Sequence, residues 1–196
     1  MTDRTASLER RTRETFIQVA VDLDGSGDAD VSTGLGFLDH MVTALSRHSR
    51  IDIELKCEGD LHIDDHHTVE DCALALGDAL RLAAGERRGI RRFGHAYAPL
   101  DEALARAVVD LSGRPWAGVD IGFKREKLGD VSTENLTHFL ESMAVAARLT
   151  LHVDVLKGEN DHHRIEAAFK AVAIALRTAL APDGTHDIPS TKGVLL

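Results

Sequence analysis

Between Glu14 and Leu23 apolar and polar residues alternate, placing Thr15, Ile17, Val19 and Val21 on one face. That two-residue period predicts a half-buried strand. Asp24 to Gly27 reads as a turn. Gly34-Leu35-Gly36 leads into Phe37 to Arg50, where Leu38, Met41, Val42 and Leu45 recur at helical spacing. Ile51, Ile53 and Leu55 alternate again and close at Gly59-Asp60. Asp65 to Ala84 is helical, with Asp64 or Asp65 as its cap and Gly85 as its stop. The second half repeats this order. Leu104 to Leu111 alternates, Gly113-Arg114-Pro115 turns, and Trp116 to Phe123 reads as a strand. Thr133 to Arg148 is a helix capped by Ser132 or Thr133, Leu149 to Val155 a strand, and Asp161 to Leu180 a helix, with Ala171, Ile174 and Ala175 as packing core.

The repetition is an internal duplication. Asp65-His66-His67-Thr68-Val69-Glu70 aligns with Asp161-His162-His163-Arg164-Ile165-Glu166 at an offset of 96. Upstream, His40 aligns with His138, and Ile51, Ile53 and Leu55 with Leu149, Leu151 and Val153, at an offset of 98. The expected fold class is therefore α+β. It is a duplicated strands-helix-strand-helix unit with helices packed on sheets and a pseudo-twofold between the halves. The chain of 196 residues is expected to form one domain, 1–196, with repeats at roughly 10–90 and 91–182 and a tail at 183–196. The opening MTDRTASLERRTRE has no apolar core and reads as an ordinary leader, not a secretory signal.

Composition narrows the function. Hydrophobic residues at 43% and charged residues at 28% are those of a globular protein. A net charge of −9 argues against nucleic acid as a partner, since phosphate neutralisation needs a basic surface. No apolar run approaches the ~18 residues of a bilayer-spanning helix, so no membrane partner is expected. Cys57 and Cys72 form neither a CxxC pair nor a disulfide framework, which fits a reducing, cytoplasmic compartment. Gly34-Leu35-Gly36 lacks the third glycine of a dinucleotide fingerprint and reads as a turn that presents His40.

Eleven histidines are the abnormal count. His-His-x-x-Glu occurs twice, each time at the start of a predicted helix. Successive helical residues turn by ~100°, so adjacent histidines diverge while His66 and Glu70, four apart, share a face. His162 and Glu166 do the same, and His67 and His163 are left to reach elsewhere. A twofold arrangement gives each ion a His–Glu pair from one repeat and a histidine from the other, with His40 and His138 adding one ligand each. Four nitrogen and oxygen ligands leave open positions, the mark of catalysis, and without thiolate the choices are Mn, Fe, Co, Ni or Zn. Asp65 and Asp161 are candidates to orient the imidazoles. His62, His95 and His152 have no partner pattern and read as structural or solvated.

GLGFLDHM (34–41), DDHHTVED (64–71), ENLTHFLESMA (134–144), NDHHRIEAAFKA (160–171) and IPSTKG (188–193) together resemble the imidazoleglycerol-phosphate dehydratase family, in its monofunctional form. The resemblance implies a hydro-lyase of L-histidine biosynthesis that converts D-erythro-imidazole glycerol phosphate to imidazole acetol phosphate. It also implies ferredoxin-like halves of the ribosomal S5 domain 2-like type. Two Mn²⁺ per active site are implied, lying between subunits of a homo-oligomer, a 24-mer. The implied metal ligands are His40, His66, His67, Glu70, His138, His162, His163 and Glu166, the same eight that the spacing selects. Substrate contacts carry over to Glu14, His40, His48, His66, Glu70, Arg92, Arg114, His162, Lys170, Ser190, Thr191 and Lys192. Here metal ligation would hold the substrate ring as imidazolate, and Glu14 and Glu166 are the acid–base candidates, since the proton to be removed is not acidic. Arg92, Arg114, Lys170 and Lys192 would clamp the phosphate. Lys170 has support of its own, four residues from Glu166 on one helix face. Two other readings compete: a dinuclear phosphate-ester hydrolase, which usually needs a carboxylate bridging ions ~3.5–4 Å apart, and a non-catalytic metal-storage oligomer, which has no use for a cationic clamp.

Overall fold

The computed structural model describes residues 4–195. In the first half, strands β1 (Thr5–Arg11), β2 (Thr15–Asp22) and β3 (Ala29–Ser32) precede α1 (Gly36–Ser49), β4 (Asp52–Gly59) and α2 (His66–Ala84). The second half repeats this as β5 (Phe93–Leu100), β6 (Ala103–Asp110), β7 (Trp116–Asp120), α3 (Thr133–Ala146), β10 (Thr150–Lys157) and α4 (Asp161–Leu180). A small hairpin, β8 (Lys127–Leu128) and β9 (Val131–Ser132), precedes α3. The sheets have the same order, β1-β2-β4-β3 and β5-β6-β10-β7. In each, the third strand of the half pairs in parallel with the strand between the helices and the other pairings are antiparallel.

Three expectations need correction. The opening segment is not a leader: Thr5 to Arg11 pairs residue for residue with Asp22 to Phe16, so the first repeat starts at β1. Its alternation is hidden because the inward side chains are Ala6, Leu8 and Arg10, with Arg10 paired to the buried Asp71. The strand predicted over Trp116 to Phe123 ends at Asp120. Ile174 is partly exposed, while Ala171 and Ala175 are fully buried as expected.

Helices α1 and α2 cover one sheet and α3 and α4 the other, and the layers meet through α1 against α4 and α2 against α3. Within the second layer Phe139 of α3 packs against Phe169 of α4 with ring centroids 5.7 Å apart, and α4 lies on β5 with Ala175 against Gly94. Both helix pairs run parallel. Asp65, just before α2, bonds Ser132 and Asn135 at the start of α3, while Gly77 lies against Met143 and Ala146 further along both helices. The N-termini of each pair therefore lie side by side.

The register fixes the duplication more finely than the helices do. Val19 opposes Leu55 in one half and Ala107 opposes Val153 in the other, so β2 and β6 correspond at an offset of 88. On that register Glu14, just before β2, falls in the place of Glu102, just before β6.

Gly77 sets how closely α2 approaches α3, because a Cβ there would stand 2.5 Å from the Met143 carbonyl oxygen. Replacing glycine by alanine inside a helix ordinarily stabilises by roughly 0.5–1 kcal/mol. Here the sign should reverse. Gly77→Ala is expected to destabilise by about 1–3 kcal/mol through overpacking, read as a lowered urea midpoint.

Candidate metal centres and active site

Two sets of potential metal ligands form at the paired helix N-termini. His66 and Glu70 of α2 meet His138 of α3, and His162 and Glu166 of α4 meet His40 of α1. Within each set one donor atom from every residue lies within 4.8 Å of the others. His138 Nε2 is 3.0 Å from Glu70 Oε1 and His66 Nε2 is 3.9 Å from Glu70 Oε2. His40 Nε2 and His162 Nε2 are each 3.1 Å from Glu166 Oε2. Each set thus takes a His–Glu pair from one repeat and, from the other, His138 or His40; the reciprocal histidines that the spacing also assigned, His67 and His163, do not join them. The carboxylate in each set also offsets the positive end of the helix dipoles that would otherwise repel a cation.

Neighbouring groups orient these side chains. His66 Nδ1 is 3.1 Å from Asn135 Oδ1, and Asn135 gives its NH2 to Asp65 at 2.9 Å. Asp65 therefore orients His66 through Asn135, not directly. Asp161 departs from expectation: its Oδ2 accepts from the backbone N–H groups of Lys124 and Arg125, so it holds the loop after β7 and touches no imidazole. The physical reason is position, since Asp161 is buried beneath the start of α4 while its histidines project outward. At the start of α1, Asp130 accepts from the N–H groups of Gly36 and Phe37, a cap delivered from the other repeat.

His67 and His163 stand outside both sets. His67 Nδ1 lies against Asp60, and His163 Nδ1 is 2.7 Å from Glu102 Oε2. These carboxylates raise the two imidazoles above the ordinary histidine value. Glu14 is half-exposed and 3.7 Å from His67 Nε2; Asp101 holds the like place beside His163 Nε2, at 3.9 Å. Asn160, His163 and Glu159 together hold Glu102 down to about 2, through two backbone N–H groups and one imidazole. Asp60, Glu102, Asn135 and Asp130 were all missed in the sequence. The duplication carried a signal for Glu102 alone, which matches Glu14 once β2 is set against β6.

The cationic residues divide. Lys170 Nζ is 2.8 Å from Glu166 Oε1, inside one ligand set, and His48 lies near it, its imidazole lowered by burial and then by the Lys170 charge. Arg92, Arg114 and the tail are not brought there. Arg92 is bidentate to Asp110, donates to the Pro189 carbonyl and bonds through its N–H to Ala179 near the far end of α4. At ~1.5 Å per residue that is roughly 20 Å along the helix from Glu166. Leu111 bonds Arg92, so the turn holding Arg114 shares this edge, and the tail carrying Ser190, Thr191 and Lys192 runs along it.

Fold and site together define a duplicated α+β protein with two equivalent His/Glu sets able to hold metal ions. The family model for imidazoleglycerol-phosphate dehydratase matches residues 33–176. The chain is 54% identical to the imidazoleglycerol-phosphate dehydratase of Torulaspora delbrueckii, covering 100% of both chains. To that of Candida glabrata it is 58% identical over 97% of this chain and 99% of the relative. Among solved structures it is similar to imidazoleglycerol-phosphate dehydratase from Staphylococcus aureus (TM-score 0.82, 35% identity, covering 91% of this chain and 99% of that one). The enzyme from Pyrococcus furiosus in complex with (S)-C348 gives a TM-score of 0.83 at 37% identity, covering 96% and 100%. This chain belongs to the imidazoleglycerol-phosphate dehydratase family. Among the described residues no helix is long and apolar enough to cross a membrane.

Burial alone would raise the Glu166 carboxyl, but hydrogen bonds from Lys170, His40 and His162 outweigh it and hold it at about 2. A carboxylate depressed in the fold stabilises above its unfolded value, and that contribution disappears as pH falls through the folded one. Metal-free protein should therefore lose this contribution between about pH 4.5 and 2. Lys170→Met should move the loss to higher pH, checked by unfolding midpoints measured across that range.

Proposed function

We propose that this chain, as one dehydratase domain of two repeats and a tail, dehydrates D-erythro-imidazole glycerol phosphate to imidazole acetol phosphate in L-histidine biosynthesis. The observation that carries the reading is the pair of equivalent His/Glu sets in a chain of this family. Their donors are imidazole nitrogens and carboxylate oxygens without thiolate, which suits a divalent transition ion such as Mn²⁺. His66, Glu70 and His138 would hold one ion, His40, His162 and Glu166 the second, with His67 and His163 completing the sets. Two Mn²⁺ per active site would act as Lewis acids on the substrate's imidazole, favouring its imidazolate form as an electron reservoir.

The reaction removes one water. The hydroxyl leaves the carbon bonded to the ring and the proton leaves the neighbouring carbon, giving an enol that tautomerises to the ketone. Glu166, held ionised beside Lys170, is suited to ligation and is a weak base. Glu14 is half-exposed and adjacent to a proposed ligand, so the proton transfer is assigned to it. Lys170 would bind anionic substrate from within the same ligand set. Arg92, Arg114, Ser190, Thr191 and Lys192 would clamp the phosphate from a neighbouring subunit.

Three observations support sites between subunits of a homo-oligomer, a 24-mer. His67 and His163 lie outside the same-chain sets. The Arg92 edge is ~20 Å from Glu166. The outer face of the β5-β6-β10-β7 sheet exposes Phe93, Tyr97, Val108, Trp116 and Leu156, an apolar patch of the kind that marks an interface. The two free thiols, Cys57 and Cys72, suit a cytoplasmic setting.

The test is formation of imidazole acetol phosphate from imidazole glycerol phosphate by metal-stripped protein, with and without added Mn²⁺, together with mass in solution. Product only with metal, from an assembly near 24 copies, is expected; loaded protein that forms none removes the reading. Glu14→Gln should keep its metal content and lose turnover by roughly 10²–10⁴-fold. Near-normal turnover would take Glu14 out of the reaction.

A further inference from the structure

The two imidazoles outside the same-chain sets each have a carboxylate on Nδ1, and neither carboxylate belongs to the ligand scheme. Asp60 Oδ2 and Oδ1 lie 3.0 and 3.3 Å from His67 Nδ1, and Glu102 Oε2 lies 2.7 Å from His163 Nδ1. An ionised carboxylate only accepts hydrogen bonds, so each Nδ1 carries the hydrogen, and in the neutral ring that binds a metal each Nε2 keeps its lone pair. We propose that Asp60 and Glu102 are positioning residues that lock His67 and His163 in the tautomer and orientation needed to bind a divalent transition metal through Nε2. The proposal rests on the metal reading above and deepens it.

The two halves reach this arrangement by different routes. Glu102 occupies the place of Glu14 in the duplicated register, yet Glu14 stands beside Nε2 of its histidine and Glu102 on Nδ1. In the first half Asp60, one residue beyond β4, takes the orienting position and leaves Glu14 only a 3.7 Å contact with Nε2. Glu102 has a second duty. Its Oε1 accepts from the N–H groups of Glu159 at 3.1 Å and Asn160 at 2.9 Å, fixing the loop that starts α4. Both of its oxygens are therefore committed as acceptors. Among the described residues the Asp60 carboxylate bonds His67 alone.

That difference separates positioning from bulk structure. Asp60→Asn can turn its amide oxygen to Nδ1–H and preserve the tautomer. Glu102→Gln cannot serve both duties. If its oxygen stays on the two backbone N–H groups, its NH2 faces Nδ1, which must then accept, and the ring hydrogen moves to Nε2 where the metal should bind. The wrong tautomer follows with the loop intact.

The experiment titrates metal-stripped, full-length protein with Mn²⁺, following free ion by its EPR signal, and records thermal melting of each metal-free variant. Wild type should bind two ions per chain. Asp60→Ala and Glu102→Gln should each weaken one of the two by roughly 10–100-fold, the usual cost of losing a group that orients a ligand. Asp60→Asn should bind within a few-fold of wild type. Glu14→Gln should keep both ions, so that one substitution at two corresponding positions gives opposite results. Metal-free melting of Glu102→Gln should stay near wild type. Unchanged affinity in Asp60→Ala and Glu102→Gln overturns the positioning role while the metal reading stands. Equal loss in Asp60→Asn and Asp60→Ala, or loss at both ions with lowered melting, also overturns it. Wild type that binds no Mn²⁺ removes the metal reading and this proposal together.

Discussion

The structure depends on two parallel helix seams crossing the pseudo-twofold. Neither repeat contains a complete candidate set: α2 and α4 each carry a histidine and a glutamate one turn apart, and the third side chain comes from α3 or α1 of the other repeat. The distance between paired helices therefore decides whether six side chains converge. At the α2–α3 seam Gly77, against the Met143 carbonyl, permits that approach. Parallel pairing then places both helix N-termini together, where carboxylates offset the dipoles and imidazole lone pairs can face a common point.

Around the two sets, charge is arranged so that few groups do two jobs. Lys170 neutralises Glu166 from the same helix face, and Asp65 orients His66 through Asn135. Asp161, which corresponds to Asp65 in the duplication, has been turned to loop anchoring. Glu14 and Glu102 have diverged in the same manner, one only loosely paired with His67 and one committed to three donors. A duplicated fold thus provides twofold ligand geometry while leaving the surrounding carboxylates free to differ.

The second requirement is distance. Arg92 is tied to Asp110 and the tail at the end of α4 opposite the ligand sets, so one chain separates its cationic edge from its imidazoles. The proposed homo-oligomer would let the edge of one subunit meet the helix N-termini of another. The exposed aromatic face of the second sheet provides apolar area for such contacts.

Periodicity and repetition alone determined the four helices, the main strands, the duplication and the pairing of His66 with Glu70 and His162 with Glu166, because these follow from local spacing on a helix or strand. Tertiary structure decided what local spacing does not encode. β1 was hidden because Arg10 faces inward against Asp71, and β5 because Gly94, Ala96 and Ala98 bury too little side chain to alternate visibly. The roles of Asp60, Asn135, Asp130 and Glu102 depend on contacts across turns and between repeats, where sequence distance says nothing about proximity. The separation of Arg92 from Glu166 was likewise set by the docking of Arg92 beside Ala179, at the far end of α4, which no motif records.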